Sequence, residues 1–259
     1  MATGTPDSEA TAGRRRLDQA MVELGLAESR SRARALIEAG LVTVEGAVAD
    51  KPSRPVDATV RILVTGLDHP WVSRGGVKLA HALDHFAIPA EGRVALDIGA
   101  STGGFTDVLL ARGAARVYAV DVGHDQLAPK LRADPRVVVL ERVNARHLTA
   151  AEVPEPVSLL VSDASFIGLE TLLPAPLERA APMADLVALI KPQFEVGPGL
   201  VGKGGVVKDP ALHRATCQRI SDWLDGRPGW RVIGLTESPI RGPDGNVEFL
   251  IHARRDGSA

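Results

Sequence analysis

The sequence is short of cysteine, of net charge and of long apolar runs, and each shortage excludes a class of protein. One cysteine, Cys217, stands among 259 residues, which excludes an intramolecular disulfide and leaves no set of thiolates for a metal site. The formal net charge of −2 is not that of a generally basic nucleic-acid-binding protein, so any basic surface must be local. No apolar run is long enough to cross a bilayer. Residues 1–13 lack the apolar region of a signal peptide, so we expect a cytoplasmic protein with a disordered tail there, no membrane association and no bound metal.

The stretch around which the chain is organised is Val94 to Phe105, which reads VALDIGASTGGF. A short apolar run ending in a carboxylate, then a turn of small residues and a helical pattern, predicts a βαβ unit whose turn accepts a nucleoside. It is not the dinucleotide fingerprint, because Ser101 stands where that motif requires glycine. A second acid, Asp121, ends the next apolar run and is placed to hold ribose hydroxyls. Two carboxylates favour a cationic nucleoside such as S-adenosylmethionine; a generic turn with incidental acids is the alternative.

From residue 73 onward, strand and helix signals alternate. This alternation predicts a doubly wound α/β sheet of seven strands, at Val94–Asp97, Val117–Asp121, Val137–Leu140, Leu159–Asp163, Leu186–Lys191, Val232–Leu235 and Val247–His252. Four of the apolar runs close on a polar residue, at the ends where an open sheet binds ligands: Asp97, Asp121, Asp163 and Lys191. Asn144 follows the third run closely enough to hydrogen-bond an adenine ring.

The residues after the fourth strand indicate which chemical group would accept a methyl group from S-adenosylmethionine. The segment Asp163-Ala164-Ser165-Phe166 lacks the two prolines usual in methyltransferases of exocyclic amines. Cys217, in a helical stretch remote from the strand ends, is interpreted as a core residue rather than the nucleophile of a ring-carbon methyltransferase. A hydroxyl acceptor is therefore favoured, and a lysine such as Lys191 can take its proton. Lys78 and Glu248 are its expected partners, although a solvated helix lysine explains Lys78 equally well.

Residues 14–60 form a small unit of their own with a local concentration of arginine. Two helical segments, a strand at 41–44 and a returning edge strand at 51–56 follow one another, and acidic residues balance the charge. By charge alone, solvated helix faces explain the arginines as well as an RNA-binding surface does. The unit resembles the RNA-binding domain of small-subunit ribosomal protein four. Three segments show the resemblance: Arg16-Leu17-Asp18, Ser29 to Gly40 and Val42 to Gly46. The resemblance implies contacts with the phosphates of structured RNA, and the candidate residues are Arg16, Arg30, Arg32 and Arg34.

A glycine-rich segment, Gly197 to Lys203, matches the first seven positions of a P-loop. Gly204 stands where that motif needs the serine or threonine that holds Mg²⁺. Nucleotide hydrolysis is thus disfavoured, and we expect a loop that closes over RNA with Lys203 and Lys208 near phosphate.

Taken together, the motifs resemble the TlyA, or haemolysin A, family of ribosomal RNA ribose methyltransferases, whose catalytic domain is similar to FtsJ-type 2′-O-methyltransferases. They lie at Trp71–Leu79, Asp97–Asp107, Glu141–Arg146, Ser162–Ile167, Lys191–Glu195 and Gly202–Val207, and the likeness covers about residues 14–254. The implied fold is a Rossmann-like seven-stranded doubly wound sheet with a small N-terminal α+β RNA-binding domain. The expected divisions are a tail at 1–13, an RNA-binding domain at 14–60, a linker at 61–72 and a methyltransferase domain at 73–254.

The resemblance also implies an activity and a set of site residues. The activity is S-adenosylmethionine-dependent 2′-O-methylation of cytidine in ribosomal RNA within ribosomal subunits, by a monomer. The Lys-Asp-Lys-Glu tetrad of FtsJ-type enzymes falls on Lys78, Asp163, Lys191 and Glu248, with Lys191 as the base. The cofactor-binding residues are expected to be Asp97, Gly99, Ser101, Thr102, Gly103, Gly104, Phe105, Asp121, Asn144 and Asp163. A non-catalytic ribosome-assembly factor and, further off, a membrane-lytic protein are the alternatives.

Overall fold

The computed structural model describes residues 15–257 except 28, 39, 58, 65–68 and 243–244. The tail predicted at 1–13 and part of the predicted linker therefore lie outside the described residues. The chain divides into two compact units, Met1–Pro70 and Trp71–Ala259. None of the described helices is both long and apolar enough to cross a membrane.

The described residues of the N-terminal unit form two short helices and two small antiparallel sheets. Apolar residues at helical spacing place Leu17, Met21, Leu36 and Ile37 in its core, all almost fully buried. Ser29 accepts a hydrogen bond from the backbone N–H of Arg32 and so caps the second helix, as expected. The elements are β1 (Arg15–Arg16), α1 (Leu17–Glu23), α2 (Arg30–Glu38), β2 (Val42–Val44), β3 (Ala47–Val48), β4 (Pro55–Val56) and β5 (Ile62–Val64), with β1 paired to β4 and β2 between β3 and β5.

The C-terminal unit is the predicted seven-stranded α/β sheet. Its strands are β6 (Val94–Ile98), β7 (Arg116–Asp121), β8 (Val137–Glu141), β9 (Val157–Ser162), β10 (Ala180–Ile190), β11 (Trp230–Glu237) and β12 (Phe249–Arg255). Its helices are α3 (Gly75–His85), α4 (Gly104–Ala111), α5 (Pro129–Arg132), α6 (Leu169–Leu172), α7 (Pro174–Glu178), α8 (Pro192–Glu195) and α9 (Pro210–Asp225). Five of the seven strand starts differ from prediction. β7, β9 and β11 begin one or two residues early, and β12 begins at Phe249 rather than Val247. β10 begins at Ala180 rather than Leu186, because Pro182 and Asp185 interrupt the apolar pattern ahead of Leu186.

The strand order is β8-β7-β6-β9-β10-β12-β11. The first five strands of this order are parallel, and β12 runs antiparallel to both β10 and β11. From β6 the chain continues to β7 and β8 on one side, whereas β9 and β10 lie on the other. The carboxyl ends of β6 and β9 are therefore the switch point at which an open α/β sheet binds its ligand, and Asp97 and Asp163 stand there.

Both faces of the sheet are covered, which explains why its central strands are almost uniformly apolar. On one face, Leu79, Leu83 and Leu109 of α3 and α4 pack against Val187 and Leu189 of β10 and their neighbours. On the other face, the core includes Leu160, Leu186, Ile190, Ile220 and Ile251. The two layers fix the strand ends rigidly, and so fix the polar residues that follow them.

Helix α3 starts against the indole of Trp71. A Cβ added at Gly76 would lie 2.3 Å from Cγ of Trp71, so only glycine allows this approach. Lys78 follows two residues later on the same helix, and its position therefore depends on this contact.

We predict that Gly76→Ala lowers the free energy of unfolding by about 1 to 3 kcal/mol, the usual cost of forcing an extra group into a packed contact. Gly199→Ala is the matched control, since a Cβ there meets nothing within 4 Å. Chemical denaturation of both variants measures the difference. Equal stability of the two would contradict the close packing described here.

Candidate active site

The turn after β6 leaves one buried carboxylate oxygen without a partner. Asp97 is fully buried, and its Oδ2 accepts a hydrogen bond of 2.7 Å from the Thr106 hydroxyl of α4. Its Oδ1 is buried with no hydrogen-bond partner among the described residues. Because buried polar atoms nearly always find a partner in a complete structure, this oxygen points to a ligand that belongs in the turn.

Gly99 and Gly103 are required in this turn because each has a positive φ and each packs closely against another segment. Gly99 has φ +83°, and a Cβ on it would lie 2.9 Å from Cα of Ala164, so the turn passes close to the loop after β9. Gly103 has φ +97°, and a Cβ there would lie 2.3 Å from Leu131 Cδ1. The residues expected to line the cofactor site, from Gly99 to Phe105, thus form one tight segment that runs from the end of β6 into the first turn of α4.

Burial raises the pKa of Asp97 to about 7, and the nearby Asp163 and Asp121 act in the same direction, while the hydrogen bond from Thr106 opposes them. Near neutral pH this carboxyl is therefore divided between its acid and its anion. A cation beside the unpartnered oxygen would stabilise the anion.

Asp121 ends β7 and faces the same turn. Its Oδ2 accepts a hydrogen bond of 2.8 Å from the backbone N–H of Ser101, and its Oδ1 accepts one of 2.7 Å from Gly123. Asn144 lies beyond the end of β8 and caps a short 3₁₀ helix by accepting from the backbone N–H of Arg146 at 3.1 Å. Both predicted side chains lie beyond strand ends of this edge, and both are half-buried.

The structure brings the four predicted tetrad side chains together. Nζ of Lys191 lies 2.6 Å from Oδ1 of Asp163, and Nζ of Lys78 lies 3.5 Å from Oδ2 of the same carboxylate. Nζ of Lys78 also donates a hydrogen bond of 2.6 Å to Oε2 of Glu248. One carboxylate is thus shared by two ammonium groups, and three of the four side chains are largely buried.

The two lysines have different surroundings. Burial alone would lower the pKa of Lys78, but attraction to Asp163 and Glu248 outweighs it, so the pKa is raised above its usual value. Lys78 is therefore held in its charged form. Lys191 donates to the exposed Ser165 hydroxyl at 2.9 Å and to the backbone carbonyl of Asp163 at 3.2 Å.

Each member of the tetrad comes from a different element. Lys78 lies on α3, Asp163 directly follows β9, Lys191 directly follows β10, and Glu248 directly precedes β12. Because β9 and β10 are paired in parallel and β12 is paired to β10, the sheet alone sets three of the four backbone positions.

Beside Lys191 there is an aromatic pair that sequence reasoning did not single out. Phe166 is 89% exposed and has φ +65°, an unusual backbone conformation for a bulky residue. Its ring centroid lies 5.0 Å from that of Phe194, which follows Lys191 by three residues. Both phenylalanines lie in motifs already noted, but nothing in the sequence shows that their rings meet or that one faces solvent.

A second group missed by sequence reasoning fixes the loop between β9 and α6. The nearly buried carboxylate of Glu195 accepts from the backbone N–H of Leu169 at 2.8 Å and from Arg219 of α9 at 2.8 Å. Arg219 also pairs with Glu170. Glu195 thus ties the segment after Lys191 to the segment after Asp163, over sequence distances that no local pattern reveals.

The residues that directly follow the glycine-rich segment are held in place by hydrogen bonds. The buried Asn246 accepts from the backbone N–H of Val207 at 3.0 Å and donates to the carbonyl of Gly205 at 2.9 Å. Lys203 ends the glycine-rich segment and Lys208 follows it, both with exposed side chains, and among the described residues neither forms an ion pair with the tetrad. Cys217 lies on α9, and burial raises its pKa to about 11, so it offers no thiolate at neutral pH.

Comparison with known proteins gives a consistent result. Residues 71–255 match the model of the FtsJ-like methyltransferase family, and residues 15–62 match that of the S4 domain. The chain is 52% identical over 244 residues to the 16S/23S rRNA (cytidine-2′-O)-methyltransferase TlyA of Mycobacterium tuberculosis, covering 94% of this chain and 91% of that protein. It is 42% identical over 242 residues to Hemolysin A of Brachyspira hyodysenteriae, covering 92% and 98%. A solved structure from Streptococcus thermophilus, provisionally described as a hemolysin, aligns with a TM-score of 0.77 and 39% identity over 95% of this chain and 90% of that one.

We predict that Asp97→Asn stabilises the protein without ligand by up to about 4 kcal/mol at mildly alkaline pH, since each pKa unit corresponds to about 1.4 kcal/mol. The folded pKa of Asp97, about 7, lies above its unfolded value, so the destabilisation is absent in strong acid, grows as the pH rises and is complete above neutrality. Denaturant titrations of both proteins across this pH range measure the difference. A difference in stability between the two proteins that does not widen as the pH rises would contradict a raised pKa for Asp97.

Proposed function

The chain belongs to the TlyA family of FtsJ-like methyltransferases, and on this premise we propose that it methylates the ribose 2′-hydroxyl of cytidine in ribosomal RNA, using S-adenosylmethionine. The observation that carries the proposal is the carboxylate of Asp163 shared between Lys191 and Lys78 at 2.6 Å and 3.5 Å. Such an arrangement suits deprotonation of a weakly acidic hydroxyl, because it holds the amine of Lys191 in place beside a second lysine whose pKa is raised.

The residues of the turn after β6 fit the proposed cofactor. S-adenosylmethionine brings a positive charge and an electrophilic methyl group. The unpartnered Oδ1 of Asp97 suits a cationic ligand, and Asp121 and Asn144 stand at the ends of the next two strands, where ribose and adenine would lie. Asp163 stands between this turn and the lysines, and so borders both the cofactor and the acceptor.

In the proposed reaction the chain's own side chains position the acceptor hydroxyl and receive its proton. The ribose 2′-hydroxyl replaces the exposed hydroxyl of Ser165 beside Nζ of Lys191, and the unprotonated amine takes its proton as the oxygen is methylated. Asp163 orients this amine and stabilises the resulting ammonium. Lys78, held by Glu248, keeps a positive charge near the developing oxyanion.

The surroundings of the tetrad support an RNA nucleotide as the acceptor. The exposed ring of Phe166, backed by Phe194, offers a face on which an unstacked base can lie. The S4 domain at residues 15–62 adds a module that binds RNA backbone. A base held outside its helix would place its ribose near Lys191.

The choice of cytidine, and of ribosomal RNA within ribosomal subunits, rests on relatives. The Mycobacterium tuberculosis protein, 52% identical to this chain, is named for cytidines of both 16S and 23S RNA. We propose the same nucleotide and class of RNA here, with assembled small and large subunits as separate substrates to be tested.

We predict that purified protein, methyl-labelled S-adenosylmethionine and ribosomal subunits give label on cytidine ribose, and that Lys191→Met reduces the rate at least about a hundredfold, the usual effect of losing a general base. Lys130→Met, an exposed lysine paired with Asp107, is the matched control. Cofactor affinity should survive in both variants. Folded protein that labels neither subunit would refute the proposal, and undiminished transfer by Lys191→Met would exclude this lysine as the base.

We predict that the affinity for S-adenosylmethionine rises with pH through neutrality, because the anion of Asp97, whose pKa is about 7, attracts the cationic cofactor. Asp97→Asn should remove this pH dependence and weaken binding about tenfold or more, as expected for loss of a charged hydrogen bond. Calorimetry over a pH series measures both effects, with the exposed Asp84→Asn as control. A folded protein with no binding heat at any pH would instead favour a non-catalytic assembly factor.

A further inference from the structure

In the N-terminal unit, one buried carboxylate holds three arginines. Asp18 is 0% exposed, and its Oδ1 accepts a hydrogen bond of 2.9 Å from Nε of Arg16. Its Oδ2 accepts from Nη2 of Arg16 at 3.1 Å and from Nη2 of Arg30 at 3.2 Å, and Nε of Arg34 lies 3.4 Å away. Three segments, the end of β1 and two successive turns of α2, thus converge on one side chain.

The cluster carries a net positive charge that does not titrate near neutrality. The hydrogen bond from Arg16 lowers the pKa of Asp18 to about 2, against the effect of burial. Three guanidinium groups around one anion leave two positive charges in excess. The arginine side chains remain 40%, 55% and 53% exposed, so most of their donors are available to a partner in solvent.

Without the carboxylate, these arginines would repel one another and sample many rotamers. Fixing a long side chain costs conformational entropy of up to about 2 kcal/mol when a ligand has to impose it. Here the carboxylate has already fixed them, and a planar guanidinium with free donors matches the geometry of phosphate.

We propose that Asp18 is a positioning residue for RNA binding: it gathers Arg16, Arg30 and Arg34 into one phosphate-binding cluster for the backbone of structured RNA. The inference rests on the proposed function, which supplies the RNA, and adds to it an acidic residue that increases affinity for a polyanion. Simple charge counting gives the opposite sign, since removing an anion beside a phosphate should tighten binding.

The decisive variant is Asp18→Asn, measured against Asp50→Asn, which removes the same charge from an exposed position of the same unit. With purified large-subunit ribosomal RNA and the full chain, we expect Asp18→Asn to weaken binding about tenfold and to reduce the slope of log affinity against log salt by about one phosphate contact. Asp50→Asn should bind as tightly as wild type or more tightly. In methyl transfer, KM for RNA should rise while kcat holds, and affinity for S-adenosylmethionine should not change.

A second pair of variants keeps the test valid if Asp18→Asn does not fold. Arg16→Lys retains the charge but loses the two-point bond to Asp18, whereas its neighbour Arg15 pairs with Glu23 instead, so Arg15→Lys is the control. We expect Arg16→Lys, but not Arg15→Lys, to weaken RNA binding several-fold.

Tighter or unchanged RNA binding by folded Asp18→Asn, or equal behaviour of the two lysine variants, would overturn the positioning role while leaving the proposed function intact. Failure of the wild-type chain to bind ribosomal RNA would count against the proposed function itself.

Discussion

Competition between two ammonium groups for one carboxylate is the interaction on which the C-terminal unit depends. Lys78, Asp163, Lys191 and Glu248 bring two amines and two carboxylates together in a largely dry location. Leaving any one of them without its counter-charge would carry a large desolvation cost, so the elements that bear them are tied together electrostatically as well as by packing. The same arrangement separates the lysines chemically: one is enclosed by two acids and stays charged, whereas the other faces an exposed hydroxyl and is accessible to a substrate.

Much of this was predictable because strand ends in a parallel sheet share an edge. Apolar runs closing on Asp97, Asp121, Asp163 and Lys191 indicated both the α/β fold and which side of it would carry polar groups, and the seven-stranded sheet is confirmed. What the sequence could not supply is side-chain geometry. That Ser165 would contact Lys191, that Thr106 would satisfy only one oxygen of Asp97, and that Glu195 would join two loops through Arg219 all depend on packing across long sequence separations.

The N-terminal unit shows the limit of charge counting. Its arginines are balanced by acids in the sequence, so composition alone could not distinguish a solvated helix from a binding surface. The structure separates the acids by position: Asp18 is inside and surrounded, whereas Asp50 is exposed. A buried carboxylate beneath a basic surface neutralises one charge, but it also holds the arginines of that surface in place. Net charge therefore underestimates what this small unit presents to a polyanion.

The strand order has a consequence for biosynthesis. Because β12 lies between β10 and β11 and follows both in the sequence, it must insert between two strands that are synthesised before it. Until then β10 exposes an unpaired edge of apolar sequence, a template for pairing with other chains. We expect newly made chains to need chaperone protection during this interval, and strains with weakened chaperone systems to accumulate the protein as aggregates.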